Sequence, residues 1–374
     1  MKAILTLASL LDAIKKRFVG KDEIIDVLGL ALVARENAFL YGPPGTAKSA
    51  IVRSLASGIT GGAGAFEYLL TRFTEPSELF GPFDIRRLRE GDLVTNTSGM
   101  LPEATTVFLD EVFNANSAIL NSLLLALNER RFRRGQETRE LPAVLFAGAS
   151  NQLPTDEALE ALYDRFLLRV RCDAVSPPQL MEVLNAGRRL ENNDQDELPT
   201  VSAEELRTLQ KACRSVDLSA TTEAYLTLIA SVRNLGISLS DRRAVKIQNL
   251  IAASALLAGR EIANTSDLWV MKYVWDSDEQ IAPLAALIDA ALVDDASPQP
   301  HPRAHKTAVD AEELAAELAR IREQWDDADA RQKTSLKDEM RHLNDRIAWL
   351  PNNTGRDQLT TDTETMWQQI LASS

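Results

Sequence analysis

The run Gly42-Pro43-Pro44-Gly45-Thr46-Ala47-Lys48-Ser49 lies between an apolar stretch, Ala38–Tyr41, and a segment of helical character that begins at Ala50. Glycine and proline shape a turn whose backbone N–H groups converge on phosphate oxygens, and a following helix adds the positive end of its dipole. In that frame Lys48 reaches the β- and γ-phosphates and Ser49 offers its hydroxyl to Mg²⁺, the chemical set that a nucleoside triphosphate such as ATP requires. Ala47 stands where glycine usually precedes the lysine; a methyl group at the start of a helix is expected to be sterically mild. An ordinary loop between strand and helix would draw on the same turn residues.

Thr106-Val107-Phe108-Leu109-Asp110-Glu111 places two carboxylates directly after an apolar run, about sixty residues beyond the turn. An aspartate ending a buried strand can hold the Mg²⁺ shell, and the adjacent glutamate can orient and deprotonate an attacking water. This assigns Asp110 to magnesium and Glu111 to the base, although an isolated pair of this kind also serves as a helix cap. The next apolar run, residues 144–148, ends in Ala149-Ser150-Asn151. Asn151 is placed to hydrogen-bond both the γ-phosphate and the water; an Asx-turn leading toward Pro154 is the alternative.

These residues need a scaffold that brings strand ends together. Apolar runs at 38–41, 68–70, 107–109, 144–148 and 167–170 alternate with helical stretches. The alternation predicts an α/β fold, a mostly parallel sheet covered by helices with ligands at the carboxyl ends of its strands. After a proline turn at 173–178 the strand signals stop and helical ones continue to about 293, with start signals at Ser202 and Glu205, a capping box, and at Thr265-Ser266-Asp267. Prolines 298, 300 and 302 mark residues 294–309 as an extended linker. His301 and His305 lie within it, where proline precludes the helix that a metal pair at that spacing needs. Beyond it, Leu314, Leu318, Ile321 and Trp325, then Leu336, Met340, Leu343, Ile347 and Leu350, repeat at heptad-like spacing around a polar break at 326–333. Pro351-Asn352-Asn353 ends that pattern, and a last helix is expected around 363–371. The predicted organisation is therefore a nucleotide-binding α/β domain with an N-terminal helix (1–172), an all-α lid (173–293), the linker (294–309) and a helical extension (310–374).

A chain of 374 residues can bury two or three cores, and its formal net charge of −13 argues against nucleic acid as the default partner. Arg130, Arg131, Arg133, Arg134 and Arg139 form the dense basic cluster, facing a neighbour, a ligand or, in a motor, a nucleic-acid pore. Cys172 and Cys213 lie far apart and suggest neither a disulfide framework nor a zinc site, which fits a reducing cytoplasm. No apolar run approaches the length of a membrane span. The first residues have some signal-peptide character, but Ile4, Leu7, Leu11, Ile14 and Phe18 recur at helical spacing and predict an amphipathic helix instead.

The motifs GPPGTAKS, FEYLLTRFTEPSELFGP, GMLPEATTVFLDE, ILNSLLLALNERRF, GASNQLP and ALYDRFLLRV resemble those of AAA+ ATPases, and within them the MoxR family, in the branch typified by regulatory ATPase variant A. The match is closest over residues 35–170 and extends more loosely to about 292. Alanine before the lysine is usual in that family. The resemblance implies that Phe18, Val19 and Gly20 pack against adenine. It implies that Arg165 is an arginine finger reaching a neighbouring subunit's γ-phosphate, and that Ser240-Asp241-Arg242-Arg243 is the sensor-2 segment, with Arg242 the better candidate. Residues 79–102 correspond to an insertion in helix 2, expected as a projecting hairpin or loop built on the turns at Gly81-Pro82, Gly91-Asp92 and Ser98-Gly99. A homo-oligomeric, hexameric ring follows from the same resemblance. Its ATP hydrolysis would move the lid to remodel a protein client, with a partner bearing a von Willebrand factor A domain. Residues 310–374 read as helices where the longer variant has a β-rich extension, so a partner specific to that extension is not implied. The rival readings are a nucleic-acid-associated motor and an ATP-gated scaffold.

Overall fold

The computed structural model describes residues 2–90, 94–134, 137–175, 179–191, 197–292, 298–301, 303–304 and 354–372, with scattered positions between 314 and 347. Helices α1 (Lys2–Arg17) and α2 (Asp22–Ala34) lead into strand β1 (Ala38–Tyr41), and α3 (Lys48–Ser57) follows the glycine-rich turn. Next come β2 (Ile59–Thr60), β3 (Ala65–Leu69), the short helices α4 (Pro76–Phe80) and α5 (Ile85–Arg89), β4 (Thr106–Asp110) and α6 (Ser117–Glu129). The hairpin β5 (Arg131–Arg134) and β6 (Glu137–Glu140), β7 (Leu145–Ser150), α7 (Glu157–Tyr163) and β8 (Leu168–Arg171) complete the α/β part. Helices α8 (Leu180–Glu191), α9 (Ala203–Cys213), α10 (Thr222–Asn234), α11 (Asp241–Leu257) and α12 (Ile281–Leu292) follow, with strand β9 (Val201–Ser202) before α9 and a 3₁₀ segment, Thr265–Tyr273, before α12. A final helix, α13, spans Thr354–Ala372.

Five strands form one parallel sheet in the order β3-β4-β7-β1-β8. The central strands β1, β4 and β7 are covered on both faces and are apolar, with Phe39, Leu40, Val107, Phe108, Leu109, Leu145 and Phe146 buried, whereas the edge strands β3 and β8 also carry Glu67, Arg169 and Arg171. Register sets Tyr41 beside both Ser150 and Arg171, and Leu69 beside Asp110. The strands therefore finish level, and whatever follows β1, β4 and β7 meets at one end. The N-terminal helix buries Leu7, Leu10, Leu11 and Ile14, as its spacing predicts. Each such side chain contributes about 1.5–3 kcal/mol of burial free energy.

Strand structure does not stop at 173. Val201 and Ser202 pair in parallel with Ile59 and Thr60, a ladder too short to leave an alternating pattern. Arg131 to Glu140, read from sequence only as a basic cluster, is the antiparallel hairpin β5–β6. The insertion is partly hairpin and partly helix: Phe83 bridges Thr95, the Asp84 N–H donates to the Val94 carbonyl at 2.9 Å and the Asn96 N–H to the Pro82 carbonyl at 2.8 Å, with α5 beyond. Its Gly91-Asp92 turn lies outside the described residues. Gly81, at φ 96°, is required there, because a Cβ would stand 1.9 Å from the Asn96 carbonyl oxygen.

Helices α9 and α11 pack on α2, and the 3₁₀ segment Thr265–Tyr273 packs on the edge strand β8. The Gln210 side chain donates to the carbonyls of Leu32 (2.8 Å) and Val144 (3.1 Å), and Lys246 pairs with Glu36 at 2.8 Å. The capping box of Ser202 and Glu205 is present. At 265 the cap is Asn264, one residue earlier than the sequence suggests, and the turn it opens is 3₁₀ rather than α. Of the expected linker, His301 stacks on Trp269 with ring centroids 4.8 Å apart, and Arg303 Nε donates to Asp26 at 2.6 Å, so the described part is folded back rather than extended. His305 and most of residues 294–309 lie outside the described residues, as do residues 326–332 of the polar break, Leu350 and Pro351-Asn352-Asn353. The heptad-spaced positions Leu314, Leu318, Ile321, Trp325, Leu336, Met340, Leu343 and Ile347 are buried with Leu359 and Met366 of α13 in a core of their own.

Candidate active site

At the carboxyl end of β1 the chain turns sharply. The Gly42 N–H donates to the Ser150 carbonyl at 3.2 Å, and a Cβ at Gly42, φ 154°, would lie 2.3 Å from the Cys172 carbonyl oxygen, so only glycine fits between two strand ends. Pro43, Pro44 and Gly45 carry the loop outward, Gly45 at φ 81°, and the Thr46 hydroxyl donates back to the Pro43 carbonyl at 3.0 Å. Helix α3 then starts with no side-chain cap and no acidic residue in its first turn. Its leading N–H groups and dipole are therefore directed at the loop, the donor set that suits an oxyanion.

Lys48 opens α3. Its buried side chain donates to the carbonyls of Gly42 (2.7 Å) and Pro43 (2.8 Å). Ser49 Oγ lies 3.2 Å from Asp110 Oδ2 at the end of β4. A hydroxyl and a carboxylate in contact are hard oxygen donors of the kind Mg²⁺ uses beside substrate phosphates and water, so the residues fit the ion. The Glu111 N–H donates to Asp110 Oδ1 at 3.0 Å, and Ser150 Oγ donates to Glu111 Oε2 at 3.3 Å. Ser150 is buried, and sequence reasoning missed it. A small polar residue closing an apolar strand beside the carboxylate pair was the signal available. The same hydroxyl accepts the Gln152 N–H at 3.2 Å, so the turn here is held by Ser150 and not by an Asx-turn of Asn151. Asn151 itself is exposed, one residue beyond the carbonyl that binds Gly42.

Two residues at this end have left-handed backbones. Ala47 sits at φ 66° and Glu111 at φ 49°. Each costs an L-residue with a Cβ about 1–2 kcal/mol. The alanine is therefore not the mild replacement its position at a helix start suggests, because the strain lies in the backbone angle and not in the room for a methyl group.

The segment expected at the adenine reaches the same end. Gly20, at φ 69°, packs toward Val175 and Gln179 just past β8; Val19 is half-buried and Phe18 buried. Beside it Lys21 is buried and donates to the Asp173 carbonyl. Burial lowers its pKa, opposed by Cys172 and Asp173 and reinforced by Lys48, so a second lysine faces the loop region.

The two arginines named from sequence lie elsewhere. Arg165 precedes β8, and its carbonyl accepts from Asn37 Nδ2 at 2.7 Å, immediately before β1. Both residues are at the amino end of the sheet. Five residues separate Asn37 from Gly42, about 16 Å of extended strand, longer than an arginine side chain. Arg165 donates to Asp164 at 3.0 Å, and Arg242 donates to the same carboxylate and to Asn128 at 3.3 Å. Burial lowers the Arg165 pKa, and the adjacent Arg242 lowers it further. Arg243 is different: it is fully buried, donating to the Ser238 and Val274 carbonyls and to Asp276 at 2.7 Å. Of the segment expected as sensor 2, Arg242 is thus the partly exposed arginine, and Arg243 holds the lid together.

The basic cluster is divided. Arg131 and Arg133 are exposed on β5. Arg134 donates to the Gly81 carbonyl at 2.6 Å and covers the Phe83 ring, and Arg139 donates to Thr97 at 3.2 Å and pairs with Glu137. Arg130 points inward. Two of the five, Arg134 and Arg139, hold the hairpin to the insertion.

Residues 5–211 match the model of a family described as the MoxR domain in the MoxR-vWA-beta-propeller ternary systems, and residues 223–288 match that of an AAA lid domain. An uncharacterized protein of Methanocaldococcus jannaschii is 36% identical over 266 residues, covering 70% of this chain and 69% of that protein. The chaperone MoxR1 of Mycobacterium tuberculosis is 25% identical over 183 residues, 48% of this chain and 47% of its own. A crystal structure whose description reads "putative ATPase", from Cytophaga hutchinsonii, superposes with a TM-score of 0.62 at 20% identity, covering 79% of this chain and 95% of that one, which establishes the likeness of fold. With more than half of its length in one family model and the loop, carboxylates and lid all in place, the chain belongs to the MoxR family of AAA+ ATPases.

Proposed function

We propose that this protein is a magnesium-dependent ATP hydrolase that works as a hexameric ring and remodels a partner protein. The observation that carries the ring is the division of the site. Lys48, Ser49, Asp110 and Glu111 meet at the carboxyl end of the sheet, whereas Arg165 and Arg242 meet at the amino end, too far away to serve the same nucleotide. A head-to-tail contact between copies is the arrangement that sets one end against the other, and such contacts form a ring when the rotation between copies closes.

In this reading the loop N–H groups and Lys48 bind the phosphates, Ser49 and Asp110 hold the cation, and Val19 and Gly20 flank the base. Bound magnesium would offset charge on the β- and γ-phosphates. Glu111, held by Ser150, orients and deprotonates the water; Asn151 faces that water and the γ-phosphate. The neighbour's Arg165 and Arg242 stabilise charge on the transferred group. Turnover moves the lid, residues 173–293 here, against the α/β part. The described systems of the matching family, MoxR with vWA and β-propeller proteins, support a von Willebrand factor A domain partner. Among the described residues no helix is long and apolar enough to cross a membrane. Burial raises both cysteine thiols to about 12, which leaves them unreactive and suits a reducing cytoplasm.

The test is complementation. Glu111→Gln and Arg165→Ala are each expected to be inactive, yet an equal mixture reassembled together should regain about a quarter of parental turnover, because that share of head-to-tail contacts joins an intact site to an intact finger. A mixture as inactive as its components would remove the ring from the account.

A further inference from the structure

Three helices, α2, α6 and α9, end around one cleft between the amino end of the sheet and the lid, and an arginine follows each: Arg35, Arg130 and Arg214. The cleft comprises two adjoining cavities of about 370 and 340 Å³ that share Arg35, Glu140 and Arg214. A cation near a helix carboxyl end is ordinary, since it complements the dipole. Two features are not ordinary. Arg35 and Arg130 both adopt left-handed backbones, φ 57° and 54°, at positions where glycine is the unstrained choice. In addition, Arg35 Nε and Arg130 Nη1 are buried without a hydrogen-bond acceptor. The Arg130 guanidinium carbon lies over the Phe146 ring, 4.4 Å from its centroid, and one N–H donates to the Arg35 carbonyl at 3.2 Å. A planar fork held this way presents its remaining N–H groups in fixed directions. Burial lowers its pKa to about 9, partly opposed by Glu36, so the group stays cationic at neutral pH.

The lining carries charge of the opposite sign to the whole chain. Arg207 and Lys211 add two more cations on α9, and Lys246 is neutralised by Glu36 at 2.8 Å. Against the five remaining cations stand Glu129 and Glu140. Allotting about half a negative charge to each of the three helix ends still leaves the cleft positive, in a protein whose net charge is −13. One small oxyanion would neither fill this space nor balance it, and guanidinium forks match phosphoryl oxygens two at a time.

We propose that this cleft is a second binding site, distinct from the loop at Lys48, for a small molecule bearing at least two phosphoryl groups, with Arg35 and Arg130 as its inner donors and Arg214 at its rim. The proposal does not depend on ring assembly or on hydrolysis.

The test uses inorganic pyrophosphate, titrated calorimetrically without magnesium into the full chain carrying Lys48→Ala, which disables the loop. Saturable binding at about one site per chain is expected, weakened about tenfold or more by Arg130→Met and by Arg214→Ala, as loss of a charge-assisted hydrogen bond would do. Arg214 is exposed, so its variant remains informative if Arg130→Met fails to fold. Absence of binding to the Lys48→Ala protein, or binding that Arg214→Ala and a folded Arg130→Met leave unchanged, overturns the proposal.

Discussion

At the carboxyl end of the sheet, the main polar side chains are answered from within the chain. Lys48 has two carbonyls, Ser49 has Asp110 and Glu111 has Ser150. At the amino end the cations outnumber their partners. Arg165 and Arg242 share Asp164, and Arg35, Arg130 and Arg165 each keep a buried nitrogen without an acceptor. Both ends hold left-handed residues other than glycine, Ala47 and Glu111 at one and Arg35 and Arg130 at the other, so both store strain. They differ in what relieves it. The first end is, in the proposed reading, a preorganised site needing only its ligand, whereas the second presents positive charge for which the described residues supply too little negative charge. In the proposed reading, part of that deficit is met by a neighbour's nucleotide.

Removing a cation from the amino end is the most severe way to probe this contrast. Arg165→Ala should lower turnover about 10³-fold or more while leaving ATP affinity of the unassembled chain unchanged, as read by steady-state rates and nucleotide titration. Full activity would reduce the amino end to a packing role. At the other end, Glu111→Gln should cost about 10²–10⁴-fold in turnover with ATP still bound. The two variants break the same reaction from opposite ends of the sheet, and only the first should be rescued by a neighbour that carries an intact arginine.

The smaller support at the carboxyl end separates positioning from chemistry. Ser150→Ala removes the hydroxyl that holds Glu111, and about a tenfold fall in kcat with little change in KM is expected, about one charge-assisted hydrogen bond. In a Glu111→Gln background the same substitution should add almost nothing, because residues acting as one unit are not additive. A full additional loss there would show that Ser150 acts on something other than Glu111.

The carboxyl end was legible in the sequence because its parts are short, contiguous and chemically distinctive: a glycine-rich turn before a lysine, and two carboxylates closing an apolar run. The five parallel strands followed from the same apolar runs. Ser150 escaped because its role depends on which strands are neighbours, and β7 lies between β1 and β4 only in three dimensions. The amino end was far less legible. Arg165 and Arg242 are 77 positions apart, their meeting at Asp164 is a tertiary fact, and resemblance located them where spacing did not. Arg130 was legible only as one member of a basic cluster and Arg35 not at all, since a left-handed backbone at a residue other than glycine leaves no mark in composition. The hairpin of Arg131 to Glu140 was hidden for a related reason: its alternating arginines read as a charge cluster before they read as a strand.

The least costly way to sharpen the comparison is to release strain at the end that has no need of outside help. Ala47 at φ 66° forgoes about 1–2 kcal/mol, and glycine would recover that while losing about 0.5–1 kcal/mol in unfolded-state entropy. Ala47→Gly should therefore stabilise the protein by about 0.5–1 kcal/mol, a shift of roughly 1–3 °C in the unfolding midpoint for a domain of this size. Glu111→Gly would relieve the same kind of backbone strain but abolish turnover, which separates strain that is incidental from strain that positions a base. The measurement is a denaturant or thermal midpoint for Ala47→Gly beside its ATPase rate. A lower midpoint would mean that the alanine methyl makes contacts that outweigh its backbone angle. A higher midpoint with unchanged turnover would place the strain at Ala47 outside the catalytic machinery and leave Glu111 as the residue at this end whose unfavourable backbone serves the reaction.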